Sequence, residues 1–298
     1  MPFPKVQIVV LQYNNSEDTI KCLQSLKDLS YQNCGVTVVD NGSQAVDHKK
    51  IKDFFSLLDS RFYFLASDTN LGYAGGNNLG IKHALKGKTD YVLILNNDTE
   101  VRKDFLTKLV AAGETDRSVG IIAPAIDEGD RTVFGGQIRW LRPELPHTYL
   151  KSTTYNLKPE TYLSGSCLLI KRGVIEKIGL LDERYFLYFE DADYCQRTQR
   201  TGYKLQVAAD AVISHKVSSS ASSLGPPLLL RYHFRNALLF NSKNGPVWVK
   251  ILLPLWAFFI IVKQVIKIVS LPSRRVVSKS ILNGVVDFWR GRFGKVNA

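Results

Sequence analysis

Tyr91-Val92-Leu93-Ile94-Leu95-Asn96-Asn97-Asp98 (YVLILNND) is an apolar run that stops on two amides and a carboxylate. A run with no polar alternation is the pattern of a strand covered by helices on both faces of a sheet. In open α/β sheets, ligands bind in the crevice beyond the carboxyl ends of the strands. Asn96, Asn97 and Asp98 are therefore expected in that crevice. Asp98 carries the one charge among them and suits a hard divalent cation, Mg²⁺ or Mn²⁺, which prefers oxygen ligands and keeps coordination positions for phosphates. The alternative is a strand followed by an ordinary Asn/Asp turn.

Outward from this strand the same pattern repeats. Val6–Leu11 (VQIVVL), Val36–Val39 and Phe62–Ala66 read as buried strands, and Ile20, Leu23 and Leu26 recur at helical spacing behind a cap at Asn15 or Ser16. A second helix runs through Phe54 and Leu58, and a third ends near Leu85. Strands alternating with helices predict βαβ units and a largely parallel sheet. After Asp98 the rhythm loosens. Phe105–Ala112 reads as a helix, Gly120–Pro124 as a strand, and the stretch from Ile126 to Pro159 as a connecting loop or an acceptor-side surface; regular structure returns with Leu163–Lys171, a helix near Val174–Ile178, and Tyr185–Cys195.

The chain has 298 residues, enough for one large α/β domain or two smaller ones. Its four cysteines (Cys22, Cys34, Cys167, Cys195) form no CxxC pair, so the pattern suggests neither zinc nor a disulfide framework, and reduced thiols in the cytoplasm are expected. MPFPKVQIVV moves straight into strand-like sequence without the apolar stretch of a signal peptide. From Lys243 onward there are ten Lys/Arg and one acid, Asp287, so this tail holds +9 of the net +12. Charge alone is the one hint of nucleic acid, and no nucleic-acid motif accompanies it.

Several other residues are placed to do chemistry. Asp40 closes the second strand in Asp40-Asn41-Gly42-Ser43, where a carboxylate can accept from a ribose hydroxyl or a pyrimidine N3–H. Tyr13, just past the first strand, can pack against a base. Asn70–Asn78 (NLGYAGGNN), with Gly72, Gly75 and Asn78, reads as a glycine-rich loop that lets backbone approach a ligand; the alternative is glycines serving tight turns. Glu190-Asp191-Ala192-Asp193 follows RYFLYF, and acids behind aromatic residues suggest partial burial, which raises carboxyl pKa and suits a general base. A helix start made acidic to suit its dipole is the other reading. His215 ends AVISH ahead of a serine-rich loop; a lone histidine is more often structural than a ligand, but beside Asp98 it can share a divalent ion. Arg231 and Arg235 (RYHFRN) can grip a pyrophosphate bidentately; the alternative is simple surface charge.

Together these motifs, from about Val6 to Lys243, resemble family 2 of the glycosyltransferases, in particular its rhamnosyltransferase-like branch: VVLQYNN, VVDNGS, NLGYAGGNN, LILNNDTEV, LSGSCLLIKR, LDERYFLYFEDADYCQRTQRTGYKL, SHKVSSS and RYHFRN occur in order. The resemblance implies an α/β, GT-A fold with a mixed, mostly parallel sheet. It also implies a nucleotide-sugar donor (dTDP- or UDP-linked), a divalent metal and inversion at the anomeric carbon. Asn96-Asn97-Asp98 stands in place of the family's DxD motif, with Asp98 on the metal and Asn96 and Asn97 beside the donor. Asp191, the second acid of the Glu190-Asp191 pair, is similar to the catalytic base, Asp40 to the group reading uracil or thymine, His215 to an added metal ligand, and Arg235 to the diphosphate-side arginine. Asparagine at 96 removes one charge from the metal site, and Gln12 stands where the family often has threonine.

The expected division is a catalytic domain over residues 1–243 and a basic helical segment over 244–298. Ile251–Val262 is a twelve-residue apolar or proline run between Lys250 and Lys263, too short for an ordinary membrane span. With Lys263, Lys267, Ser270 and Arg274 at helical spacing, it reads either as an amphipathic segment on an anionic membrane, at the inner face, or as a helix packed on the domain. The former would suit a polyprenyl-diphosphate-linked glycan acceptor. Two other functions compete. A sugar-phosphate nucleotidyltransferase would open with a glycine-rich basic loop where Gln12-Tyr13-Asn14-Asn15 stands, and a non-catalytic nucleotide-sugar-binding module would have no need of Asp191.

Overall fold

The computed structural model describes residues 3–129, 131–149, 161–215 and 225–296. Position 130, residues 150–159 of the expected acceptor-side stretch, and the serine-rich loop at 216–224 lie outside the described residues.

β1 (Val6–Gln12), β2 (Cys34–Asn41), β3 (Phe62–Ser67) and β4 (Tyr91–Asn96) run parallel in the spatial order β3-β2-β1-β4. They are joined by α1 (Ser16–Lys27), α2 (Ala45–Phe55) and α3 (Gly72–Leu85). The order reverses between β1 and β4, which is where an open sheet leaves a crevice for ligands. The chain continues through β5 (Thr99–Val101), α4 (Phe105–Glu114), β6 (Val119–Asp127), β7 (Thr132–Gln137), β8 (His147–Tyr149), β9 (Thr161–Tyr162), β10 (Cys167–Lys171), α5 (Arg172–Ile178), α6 (Glu190–Arg200) and β11 (Lys204–His215). The main sheet extends from β4 through β10, β6 and β11 to β5, with β10 antiparallel to both β4 and β6. The stretch after Ile126 thus carries strands where a loop was one expectation.

The pleat sorts the core. Ile8, Val10, Leu93 and Leu95 pack with α1 and α4, while Val9, Val92 and Ile94 pack with α3, α5 and α6 on the other face. Each fully buried aliphatic side chain contributes about 1.5–3 kcal/mol, so a one-residue slip, which exchanges the two faces, is strongly disfavoured.

One expectation is corrected here. NLGYAGGNN does not form a loop that ends at Asn78, because α3 already starts at Gly72. A Cβ on Gly76 would lie 2.4 Å from Leu11 Cδ1, and one on Gly80 2.2 Å from Val9 Cγ1. These glycines let the helix lie against β1. Gly72 has φ +75°, and a Cβ there would meet the Phe186 carbonyl at 2.4 Å. Gly75 would meet Leu71 Cβ at 2.8 Å, and the Asn78 amide is bonded to Leu181 and Glu183. Gly72, Gly75 and Asn78 therefore serve packing and the 181–186 turn rather than cradling a ligand.

Asp193 is a buried junction. Its carboxylate accepts from Arg197 Nε (2.8 Å), Lys243 Nζ (2.8 Å) and Asn244 Nδ2 (2.7 Å). It thus ties α6 to α7 (Pro226–Asn244). Removing one partner of a buried ion pair strands the others, so Asp193→Ala is expected to destabilise the fold by about 3 kcal/mol, read as a lower urea midpoint at unchanged m-value. A change below about 1 kcal/mol would make the junction ornamental.

Two helices follow: α8 (Val247–Ser270) and, after a short 3₁₀ turn at Pro272–Arg274, α9 (Arg275–Trp289). Leu253, Ala257 and Ile260 of α8 pack with Leu238 of α7 and with Ile281 and Val285 of α9. The chain end returns to the domain, where Gly294 N donates to Arg184 O (2.9 Å) and Val296 N to Tyr232 Oη (2.8 Å). The twelve-residue apolar run is the centre of a 24-residue helix that is long and apolar enough, by length and composition, to cross a membrane. Arg274 lies in the 3₁₀ turn and does not continue the Lys263–Lys267–Ser270 row along α8.

Candidate active site

Strand register assembles the site at one sheet edge. Leu11 pairs with Asn96 and Gln12 with Asp40, so Tyr13, Asp40 and Asn96 emerge together beyond β1, β2 and β4. β11 runs antiparallel to β5 with His215 opposite Thr99, which sets His215 beside Asp98. Asp98 is only 8% exposed, and its Oδ1 lies 3.2 Å from His215 Nε2. Neither atom has a hydrogen-bond partner. Two buried electron-pair donors that face each other without a proton aligned between them are what a divalent cation requires. Asp98 and His215 fit such an ion. They line a cavity of about 400 Å³ with Glu100, Asp127, Glu128 and Ser214. Among the described residues no group of three or more His, Cys, Asp or Glu side chains is placed to hold a metal, so the other coordination positions fall to water or to a ligand's phosphates.

The second half of the site arrives through β10. Because β10 is antiparallel to β4, with Cys167 opposite Leu95, the preceding Ser164–Ser166 segment lies beside the end of β4. Asn96 N donates to Ser166 O (2.9 Å), and Gly165 N donates to Asp191 Oδ2 (3.0 Å). One three-residue segment therefore touches both the Asn96-Asn97-Asp98 turn and the Glu190-Asp191 pair. Tyr73 closes the arrangement, its hydroxyl donating to Gly165 O. Leading into α6, Phe186, Tyr188 and Phe189 have φ of 62°, 71° and 75°. Left-handed conformations in non-glycine residues are unfavourable by about 1–3 kcal/mol each and cluster where a chain presents functional groups.

The two acids differ electrostatically. Burial pushes the Asp191 carboxyl up, opposed by N–H donors from Gly165 and Ala192 (2.7 Å) and by nearby His147. Glu190 is pushed well up by burial and then by the Asp191 charge, and its Oε2 has no partner. N–H donors stabilise an ionised carboxylate, so Asp191 is the member of the pair that loses its proton more readily. The Tyr73 phenol, raised by burial and then by Glu190 and Asp191, keeps its proton and remains a donor.

Other expected site residues turn inward. Arg235 is 1% exposed; its guanidinium donates to Asn236 Oδ1, Gly294 O and Tyr185 O. It anchors the chain end and is not available to a diphosphate, which corrects the expectation. Arg231 Nε is likewise paired with Asp287 (2.7 Å). Asn41 serves Leu71 N, Gly72 O and Asn70 Oδ1, shaping the turn into α3. Asn97 Nδ2 donates to Thr19 Oγ1 (2.8 Å), beside Gln12, so its amide knits β4 to α1 instead of pointing at a donor. Asp40 accepts from Ser43 N (3.2 Å) and pairs with His48 Nδ1 (2.5 Å). Tyr73, Gly165, Ser166 and His48 were not singled out by the sequence; the first three have partners far along the chain, and His48 meets Asp40 eight residues away, where α2 folds back on the end of β2.

Comparison with known proteins bears on the family and the fold. Residues 7–179 match the family described as Glycosyl transferase family 2. The chain is 32% identical to the low-salt glycan biosynthesis hexosyltransferase Agl10 of Haloferax volcanii, over 80% of this chain and 75% of that protein. It is 25% identical to the N-acetylglucosaminyl-diphospho-decaprenol L-rhamnosyltransferase of Mycobacterium tuberculosis, over 81% of this chain and 85% of that one. In fold it is similar to the mannosyltransferase PcManGT of Pyrobaculum calidifontis, solved with GDP-Man and Mn²⁺, with a TM-score of 0.59 at 13% identity, covering 96% of this chain and 87% of that one. A mixed sheet with its strand ends gathered at one acid-lined crevice is thus a GT-A fold, and the chain, with rhamnosyltransferases among its relatives, belongs to glycosyl transferase family 2 as a glycosyltransferase.

Proposed function

We propose that the chain is a metal-dependent, inverting hexosyltransferase that moves a sugar, L-rhamnose from dTDP-rhamnose or a sugar from a UDP donor, onto a hydroxyl of a lipid-linked glycan during cell-surface polysaccharide synthesis. The observation that carries this reading is the Ser164–Ser166 bridge, which sets Asp191 beside the strand end that bears Asp98. In this reading Tyr13 and Asp40 receive the pyrimidine, the buried Asp40 carboxylate exchanging its His48 partner for the base, with Asn96 beside the donor. Asp98 and His215 hold the ion, whose chemistry is to neutralise charge developing on the departing diphosphate. Asp191 takes the proton from the acceptor hydroxyl as its oxygen attacks the anomeric carbon from the face opposite the nucleotide. Glu190, more reluctant to ionise, helps hold the acceptor. The mycobacterial relative's name supports an acceptor carried on a polyprenyl diphosphate. We place the reaction in the cytoplasm at the inner membrane face, with residues 1–243 catalytic and 244–298 facing the lipid.

A nucleotide-release screen over dTDP-rhamnose and common UDP-sugars, with Mg²⁺ or Mn²⁺ and an N-acetylglucosaminyl-diphospho-polyprenol acceptor, tests the proposal. The expected result is dTDP or UDP release with an inverted anomeric centre in the product, read by NMR. Retention of configuration, or pyrophosphate release in place of nucleoside diphosphate, would refute it.

A further inference from the structure

α8 carries two apolar stripes. The inner one, Val249, Leu253, Ala257 and Ile260, is buried and packs toward α7 and α9. On the opposite side Trp248, Ile251, Leu255, Phe258, Phe259 and Val262 recur at spacings of three, four and seven and are exposed, Phe258 at 57% and Phe259 at 60%. The stripe continues through Val265, Ile266 and Val269. A soluble surface does not ordinarily leave an apolar band of this length open to water. Lys250 and Lys263 are exposed and fall at the edges of the stripe rather than within it, while the half-buried Lys267 lies five turns from Val249 on the inner side. Arg274, Arg275 and Lys279 follow at its end, in a segment that holds +9 of the chain's charge.

We infer that the outer stripe of α8 lies in the plane of an anionic bilayer, with its aromatic and aliphatic side chains in the acyl boundary and the flanking lysines at the phosphates. Charge decides in favour of lipid: an apolar band edged by cations matches an anionic interface. It would be poorly matched to a second copy of this same basic segment, whose lysines would meet their own kind. Packing, and not length, decides against spanning, since α8 is by length and composition able to cross. The inner stripe, held against α7 and α9 along the helix, would have to be torn from the domain to cross. Lying flat, α8 keeps that packing and still buries its outer face.

Flotation of the full-length chain with phosphatidylglycerol-containing vesicles, against vesicles of phosphatidylcholine alone, tests the inference. The partner variant is Phe258→Glu/Phe259→Glu, which touches two exposed side chains and no core residue. The wild type is expected to float with anionic vesicles about tenfold more than with neutral ones, and to be released by high salt or alkaline carbonate. The double variant is expected to lose about tenfold of that binding while its circular dichroism and its dTDP affinity with Mn²⁺ stay unchanged. Equal flotation of the two proteins, or wild-type retention through alkaline extraction, would overturn it. So would a wild-type dimer in light scattering that the variant converts to monomer without either binding vesicles. Because dTDP binding is read separately, failure here leaves the transferase assignment standing, and failure of that assignment leaves this one.

Discussion

Asp191→Asn is expected to lower the transfer rate by about 10³-fold while leaving donor affinity within a few-fold. The variant keeps the size of the side chain and an acceptor for one of the N–H groups of Gly165 and Ala192, so the bridge to Ser166 and Asn96 survives. What it loses is the basic oxygen that the proposed mechanism uses to take the acceptor's proton. Single-turnover transfer and donor titration, measured side by side, separate the two effects; near-normal turnover would remove Asp191 from the role of base. The pH dependence carries a second signature. Burial raises the Asp191 carboxyl, so its ionised form, and with it the rate, is lost as pH falls through a value above the usual carboxylate range. Stability runs the other way. A carboxyl whose folded pKa is raised holds its proton more tightly in the native state, so its contribution is fully present below the unfolded pKa and is lost as pH rises through the folded one. Glu190, raised further, adds to the same slope. Rate should therefore climb across the mildly acidic range while the melting temperature drifts down, and Glu190→Gln should flatten the thermal trend.

Asp98→Ala is expected to abolish the metal dependence of donor binding. Outer partners of metal ligands alone change metal affinity by about 10–100-fold, so loss of a direct ligand should exceed 100-fold. Calorimetry with the nucleotide donor, with and without Mn²⁺, should give a wild-type affinity that rises with metal and a variant affinity that does not. The fold should tolerate the change, because Asp98 Oδ1 is buried and makes no hydrogen bond within the protein. A variant that still binds donor more tightly with Mn²⁺ would move the ion elsewhere. His215→Ala is the milder counterpart, removing a neutral ligand where Asp98→Ala removes a charge.

The sheet was legible because its signals are local. The runs VQIVVL and YVLILNND announce strands buried on both faces, and the polar residues that end them mark the ligand-binding edge without any knowledge of neighbours. The glycines of NLGYAGGNN misled for the same reason. A glycine pattern does not distinguish a loop that approaches a ligand from a helix that must lie close to a strand, and only the 2.2–2.4 Å clearances to Val9 and Leu11 decide it. Arg235 was misread because a guanidinium near a site suits a phosphate and a ring of backbone carbonyls equally well, and the returning chain end supplied the carbonyls.

Strand identity, the crevice at their carboxyl ends, the acids that reach it and the basic character of the last helices all follow from periodicity and charge along the chain, because those depend on each residue and its near neighbours. The meeting of Asp98 with His215, the hold of Gly165 on Asp191, the inward turn of Asn97 and Arg235, and the choice of which α8 stripe is buried follow from pairings between distant segments. An antiparallel β10 set beside a parallel β4, and an α8 laid along α7 and α9, are long-range registers. They are settled by the burial of whole faces, which no short stretch of residues encodes.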